Sequence, residues 1–297
     1  MASPISVYRA LNLPLGVVPP LRTPRTRIEL SPGNFYSPIT LRENQSRGAR
    51  VIINNNAAQA ATVNFSGLAF SVLPGEIVSF MVGENGLWQK ETLTVDLLMV
   101  YSDVARNSLG QAAIEARNIE ALGLINDALE NSGANFRVRL VGLKELVQPA
   151  DWTSLNIILP QLRTNPDIMA WRDAARADAV HYMTLGTPPE CGLAYFNTVP
   201  SAFNMVASVV ITNTCGTSAT RHEFGHNMGI HHGDEQPTPI WARGDAITRT
   251  IVAGNAIPFY STPHRFTPDL GIPMGAVDSV DAVRMMNINS PIVAAFR

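Results

Sequence analysis

For the larger part of this 297-residue chain the predicted class is α/β (α+β): a twisted mixed sheet backed by helices, with one helix carrying the chemistry, preceded by a small antiparallel β module. Three observations predict it. From Thr92 onward, apolar runs of strand length alternate with stretches of helical period. Between about Asn34 and Lys90 the apolar runs are short, rich in Val, Ile, Phe and Thr, and cut by turn residues. Finally, RHEFGHNMGIHH at residues 221–232 gathers four of the chain's six histidines.

Residues 1–31 hold Pro4, Pro14, Pro19, Pro20 and Pro24, with Pro32 at the boundary, and the basic Arg22, Arg25 and Arg27. No period of 2 or 3.6 runs through them, so the segment reads as an extended proline-rich arm, either a linker or a strap ordered by a partner. Residues 32–91 contain ARVIINN, ATVNFSG and EIVSFMVG, punctuated by NNN, PG and GENG. Strands joined by turns follow from that texture, in a small β-sandwich or barrel module without a titratable cluster. It resembles the small β modules of phage tails and secreted particles.

Residues 92–297 form the catalytic domain. VDLLMVYS is apolar throughout, as a strand buried on both faces is, and SLGQAAIEARNIEALGLINDALENSG has the apolar spacing of one long helix. FRVRLVGL alternates as a strand. TSLNIILPQLRT and PDIMAWRDAARAD read as helices with breaks at Pro160 and Pro166. AVHYMTL, CGLAYF and ASVVITN supply three more strands, with His181 of the first a packed core residue rather than a ligand.

If Arg221 to Met228 end a helix, His222 and His226 stand one turn apart on a shared face and can converge on one point. Glu223, about 100° away, does not share that point but can lean over what sits beside it, which is where a base belongs. A continuing helix would carry His232 about 9 Å past His226, too far for Zn–N bonds of about 2.0–2.1 Å. Gly229 can end the helix in the left-handed conformation and bring His232 back as a third nitrogen ligand. His231 is the alternative third ligand and reads as a loop residue. Three histidines leave the fourth position of a tetrahedral Zn2+ open, as a catalytic site requires. The whole pattern H-E-x-x-H-x-x-G-x-x-H arises by chance in such a chain with odds on the order of 10⁻⁵.

Composition excludes other classes. With a net charge of −2, nothing favours nucleic acid or an anionic membrane, and no apolar run approaches a membrane span of about 20 residues. MASPISVYRALNLPLGVVPPL lacks the pattern of a signal peptide, so export by another route, action inside the cell or travel within a larger particle is expected. Cys191 and Cys215 allow either a disulfide, worth roughly 3 kcal/mol for a loop of about 25 residues, or two buried thiols.

At His222, Glu223, His226, Gly229 and His232 the chain resembles the metzincin zinc metalloproteases, and within them the reprolysin-like bacterial enzymes that include the peptidyl-Asp metalloendopeptidases. The resemblance extends from about Thr92 to Arg297 through VDLLMVYSDVAR, CGLAYF, TIVAGNAIPFYSTP and INSPIVAAFR. It implies a metzincin-type zincin fold with its active-site helix, a Cys191–Cys215 bridge, and a protein or peptide substrate bound along an edge strand at Gly192, Leu193, Ala194 and Tyr195, to Phe196. Glu223 is then the general base. Asn227 and Met228 pack or cap the helix.

Two positions depart from the family pattern. Val252 stands in TIVAG where a methionine is usual under the zinc, leaving a gap or drawing the turn closer. Gly233 follows the third ligand where an aspartate is frequent, loosening a contact that anchors the helix; Asp234 comes one place later. AIPFYSTPHRF, with His264 and Arg265, is the expected specificity wall. The leading function is thus a zinc endopeptidase, extracellular or particle-associated, with a particle or oligomer partner reached through residues 1–91. The second is a structural or adhesive component of a phage tail or secreted particle (virion-associated) whose metzincin domain has little or no activity.

Overall fold

A computed structural model describes residues 5–9, 13, 16–21, 25–30, 35, 37–55, 57, 59–72, 77–186, 190–196, 198–210 and 215–297. It divides into two compact units, residues 1–93 and 94–297.

Among the described residues the first unit has two sheets. One is ordered β1 (Ile5–Arg9), β2 (Arg25–Leu30), β4 (Arg50–Asn55), β7 (Ile77–Val82), β8 (Trp88–Glu91). The other is ordered β3 (Ile39–Thr40), β5 (Ala61–Phe65), β6 (Leu68–Val72). Both contribute to one apolar core, where Phe65 of β5 meets Phe80 of β7 with ring centroids 4.8 Å apart.

Two expectations are corrected here. The proline-rich segment is not an arm throughout, since β1 and β2 are members of the larger sheet, and Thr26, Ile28 and Leu30 alternate inward along β2. Of its prolines, Pro4, Pro14, Pro24 and Pro32 lie outside the described residues, as does Arg22. Nor is the module purely antiparallel: β1 and β2, β2 and β4, and β3 and β5 pair in parallel. The long connections before β2 and β4 permit a parallel return, whereas a two-residue loop forces the antiparallel one. Such a loop joins β5 to β6, with Ser66 and Gly67 both at positive φ.

The second unit is α/β. Its five-stranded sheet is ordered β10 (Phe136–Leu146), β9 (Leu93–Ser102), β11 (Ala179–Thr184), β13 (Val206–Val210), β12 (Gly192–Ala194). β9, β11 and β13 run parallel, and β12 lies antiparallel to β13 at the sheet's edge. Every residue of β11 is buried, the polar His181 and Thr184 included, as a central strand flanked by β9 and β13 requires.

The helix expected from Ser108 onward is two helices. α1 (Asp103–Leu109) is capped by Ser102 and stops at Gly110, whose φ of 86° ends it before α2 (Gln111–Ser132) begins. Pro160 breaks nothing: it sits inside α3 (Leu155–Leu162), near its end. Pro166 opens α4 (Pro166–Ala175), with Asn165 as its cap. The end of ASVVITN, residues 211–213, lies outside the described residues.

α5 (Ala219–Asn227) packs on β12, β13 and α2, and all of its residues except His222 are buried. The small hairpin β14 (Thr262–Phe266) and β15 (Pro273–Met274) follows, then α6 (Ala282–Val293). Among the described residues no helix is long and apolar enough to cross a membrane.

Candidate metal centre

α5 ends in a left-handed cap. Met228 is the last half-helical residue, Gly229 takes φ 90°, the Gly229 N–H donates to the His226 carbonyl at 2.9 Å, and the Ile230 N–H donates to Gly225 at 3.0 Å. That pair of bonds reverses the chain using only a glycine's conformational freedom. Returning from the turn, His231 is pinned by its backbone, its N–H donating to Ala242 and its carbonyl accepting from Gly244. His232 then stands beside α5.

The structure brings His222, His226 and His232 together. His222 Nε2 lies 3.1 Å from His226 Nε2 and 3.3 Å from His232 Nε2. Four nitrogens set tetrahedrally around zinc at about 2.0–2.1 Å are about 3.3 Å apart; the two separations from His222 match that spacing, and all three ligand atoms lie within 4.8 Å of one another, close enough to hold one ion. His231 does not join them. Its ring stands edge-on to Phe196, centroids 4.2 Å apart.

Each Nδ1 of the triad is engaged elsewhere: His222 with the Ile251 carbonyl at 2.8 Å, His226 with the Ile230 carbonyl at 2.7 Å, and His232 with Glu235 Oε1 at 2.9 Å. Since a carbonyl or carboxylate only accepts, the proton sits on Nδ1 and the Nε2 lone pairs face one another, as metal ligation requires. Burial pushes His226 down to about 3 and lowers His222, so both are neutral near pH 7.

Glu223 is 5% exposed, and burial raises its carboxyl to about 8. It fits there because residue 192 has no side chain: a Cβ on Gly192 would lie 2.6 Å from Glu223 Cγ. A cleft of about 300 Å³ opens at this point, lined by Cys191, Gly192, Ala219, His222, Glu223, Gly254 and Asn255. A disulfide joins Cys191, just before β12, to Cys215, just before α5.

The floor is the turn Thr250–Asn255. Val252 is buried against α5, at a place where a Cβ on Gly225 would come within 2.6 Å of Val252 Cγ2. Val252 therefore packs closely against Gly225. Gly233 has an equally local cause, because a Cβ there would lie 2.7 Å from Ala253 Cβ and 3.1 Å from Ala246 Cβ, leaving no room for an aspartate.

β12 is shorter than expected. Tyr195 and Phe196 leave it, Tyr195 to lie against the Arg163 guanidinium, 4.1 Å from its ring centroid, and Phe196 to cover His231. His264 and Arg265 are exposed on β14, Arg265 against Gly133, and neither lines the cleft.

Three supporting residues carried no sufficient signal in the sequence. Asn227 was expected to pack or cap α5. It clips α5 to the sheet instead: its Nδ2 donates to the Tyr195 and Val206 carbonyls at 2.8 and 3.0 Å, and its Oδ1 accepts from His181 at 3.2 Å. Asn289 of α6 donates to the Met228 carbonyl at 2.9 Å, at the end of α5. Glu235, three residues past His232, was legible only as an acid near a histidine.

A reprolysin-type family model described as Metallo-peptidase family M12 matches residues 91–251, more than half of the chain. The chain is similar to the peptidyl-Asp metalloendopeptidase of Pseudomonas aeruginosa, 26% identical over 245 residues, covering 69% of this chain and 40% of that protein. It is also similar to a chain in a solved structure described as a chaperone-substrate complex, with 30% identity and a TM-score of 0.66, covering 100% of this chain and 51% of that one. The chain thus spans about half or less of the length of both relatives.

Proposed function

The chain belongs to metallopeptidase family M12, and from that premise we propose that it is a zinc-dependent endopeptidase of metzincin type, with His222, His226 and His232 as ligands and Glu223 as general base. One observation carries the reading: three imidazole Nε2 atoms converge beside a buried carboxylate at the edge of a sheet.

When bound, zinc supplies Lewis acidity and a water whose pKa is lowered toward 7. The chain's own residues do the rest. Glu223 accepts a proton from the attacking water on a carboxylate oxygen and delivers it to the leaving amine. Burial of its carboxyl favours the protonated form that must persist between those two steps. The carbonyls of Ile251 and Ile230 and the carboxylate of Glu235 keep the three imidazoles oriented.

An extended peptide adds to the free side of β12 by backbone pairing, which places its scissile carbonyl over the cleft at Gly192. Val252 takes the place of the usual methionine in the turn beneath the metal. A preference for bonds at aspartate follows from the name of the Pseudomonas relative. We assign the chemistry to residues 94–297 and attachment to a particle or other partner to residues 1–93. The Cys191–Cys215 bridge supports our reading that the protein works in an oxidising, extracellular setting.

The test is zinc content measured beside cleavage of unfolded casein, for the parent and for Glu223→Gln. One zinc per chain, with cleavage in the parent and none in the variant, is expected. A zinc-loaded parent that cuts nothing would turn the reading toward the particle component with an inactive domain.

A further inference from the structure

The three imidazoles are held differently. His222 and His226 give their Nδ1 protons to backbone carbonyls, at 2.8 and 2.7 Å, and backbone at a helix end or tight turn has little freedom to move. His232 is the exposed member of the triad and meets a side chain, Glu235 Oε1, at 2.9 Å. A solvent-exposed imidazole on a loop can rotate about χ2, which takes Nε2 away from the other two nitrogens, or exchange tautomers, which puts the proton on Nε2 and removes its ligating lone pair.

Glu235 is itself restrained. Its other oxygen, Oε2, accepts from His231 Nδ1 at 2.7 Å. The backbone of His231 is bonded on both sides, to Ala242 and Gly244, and its ring is backed by Phe196. Between them, residue 233 is closed to any side chain by Ala253 and Ala246. A carboxylate supporting the third histidine has to come from further along, and position 235 provides it.

We propose that Glu235 is the positioning residue for the third ligand: anchored on His231 by one oxygen, it holds His232 with the other in the Nδ1–H tautomer, Nε2 facing His222 and His226. The proposal rests on the reading of the triad as a metal site. It gives the adjacent histidines different tasks, His232 as ligand and His231 as the fixed post that keeps Glu235 in place. Carboxylates that orient ligating imidazoles contribute about 10- to 100-fold in metal affinity.

The test uses the full chain. Zinc affinity is measured by competition with a chromophoric chelator, ligand geometry by the visible absorption of the cobalt-substituted protein, and folding by thermal unfolding of the metal-free chain. Glu235→Ala is expected to weaken zinc about 10- to 100-fold and to alter the cobalt bands, with metal-free unfolding close to that of the parent. Glu235→Gln keeps one accepting oxygen for two imidazoles and should fall between. His231→Ala, which loosens Glu235 without touching the ligand, should weaken zinc less than Glu235→Ala. Parental affinity and cobalt bands in Glu235→Ala overturn the proposal; should that variant not fold, parental behaviour of the isosteric Glu235→Gln overturns it. A parent that binds no zinc overturns the metal-site reading itself and this proposal with it.

Discussion

Gly192 and Glu223 meet where a side chain on the first would occupy the space of the second: a Cβ at residue 192 would lie 2.6 Å from Glu223 Cγ and 2.7 Å from its Cδ. The edge strand and the base therefore share one packed boundary. Gly192→Ala should displace the Glu223 carboxylate by about an ångström, and a misplacement of that size costs on the order of 100-fold in rate. The metal ligands are untouched, so zinc content should stay at the parental level while casein cleavage falls. Unchanged cleavage would show that the carboxylate adjusts freely.

Removing the base and removing a ligand should be separable. Glu223→Ala is expected to keep about one zinc per chain and to lose about 10²- to 10⁴-fold in peptidase activity. His222→Ala and His226→Ala should lose the metal, and His232→Ala should lose more than His231→Ala. Full activity in Glu223→Ala, or the reverse order in the last pair, would contradict the assignments.

Val252 already abuts Gly225, and Tyr260 also borders that position, so the longer methionine of the wider family is expected to crowd α5. Val252→Met should lower stability by about 1–3 kcal/mol through overpacking, without raising activity. A urea unfolding midpoint above the parent's would show slack in the floor. Conversion of a dead parent into an active enzyme by this one change would mark the valine as disabling.

His181 sets an acid limit on the fold. Its Nε2–H bonds to Asn227, its Nδ1 is buried without a partner, and burial lowers the group from 6.5 to about 4. As pH falls from about 6.5, the unfolded chain takes up the proton that the folded chain refuses. Stability is therefore present above 6.5 and is lost progressively down to about 4, by about 3 kcal/mol in all at 1.36 kcal/mol per unit. His181→Gln keeps a donor for Asn227 and does not titrate. With the metal chelated throughout, urea midpoints at pH 7 and 4.5 should separate further in the parent than in this variant; equal separation would place the acid sensitivity elsewhere.

The ligands were legible because their geometry is local: a spacing of four on a helix and one glycine at its end are visible in eleven letters. What supports them was not. Ile251 lies 29 residues from the histidine it holds, and Asn227 is 46 residues from His181 and 32 from Tyr195. No periodicity announces such pairs. In the first unit the signal was present but obscured, since TRIEL alternates inward and outward through β2 while the prolines around it suggest an arm. The reason for Gly233 also lay outside the motif, in two alanines, Ala246 and Ala253, brought against it by folding.

The Cys191–Cys215 bridge spans a segment whose Phe196, Val199 and Phe203 are exposed. On the proposed peptidase reading each chain is surrounded by copies able to cut it, and such a segment invites a cut. Any cut between the two cysteines leaves the fragments covalently joined, so nicked and intact chains migrate together in denaturing electrophoresis until a reductant separates them. Losses of activity during storage should then appear without fragments on a non-reducing gel, and the damage becomes visible as two bands once the thiols are released.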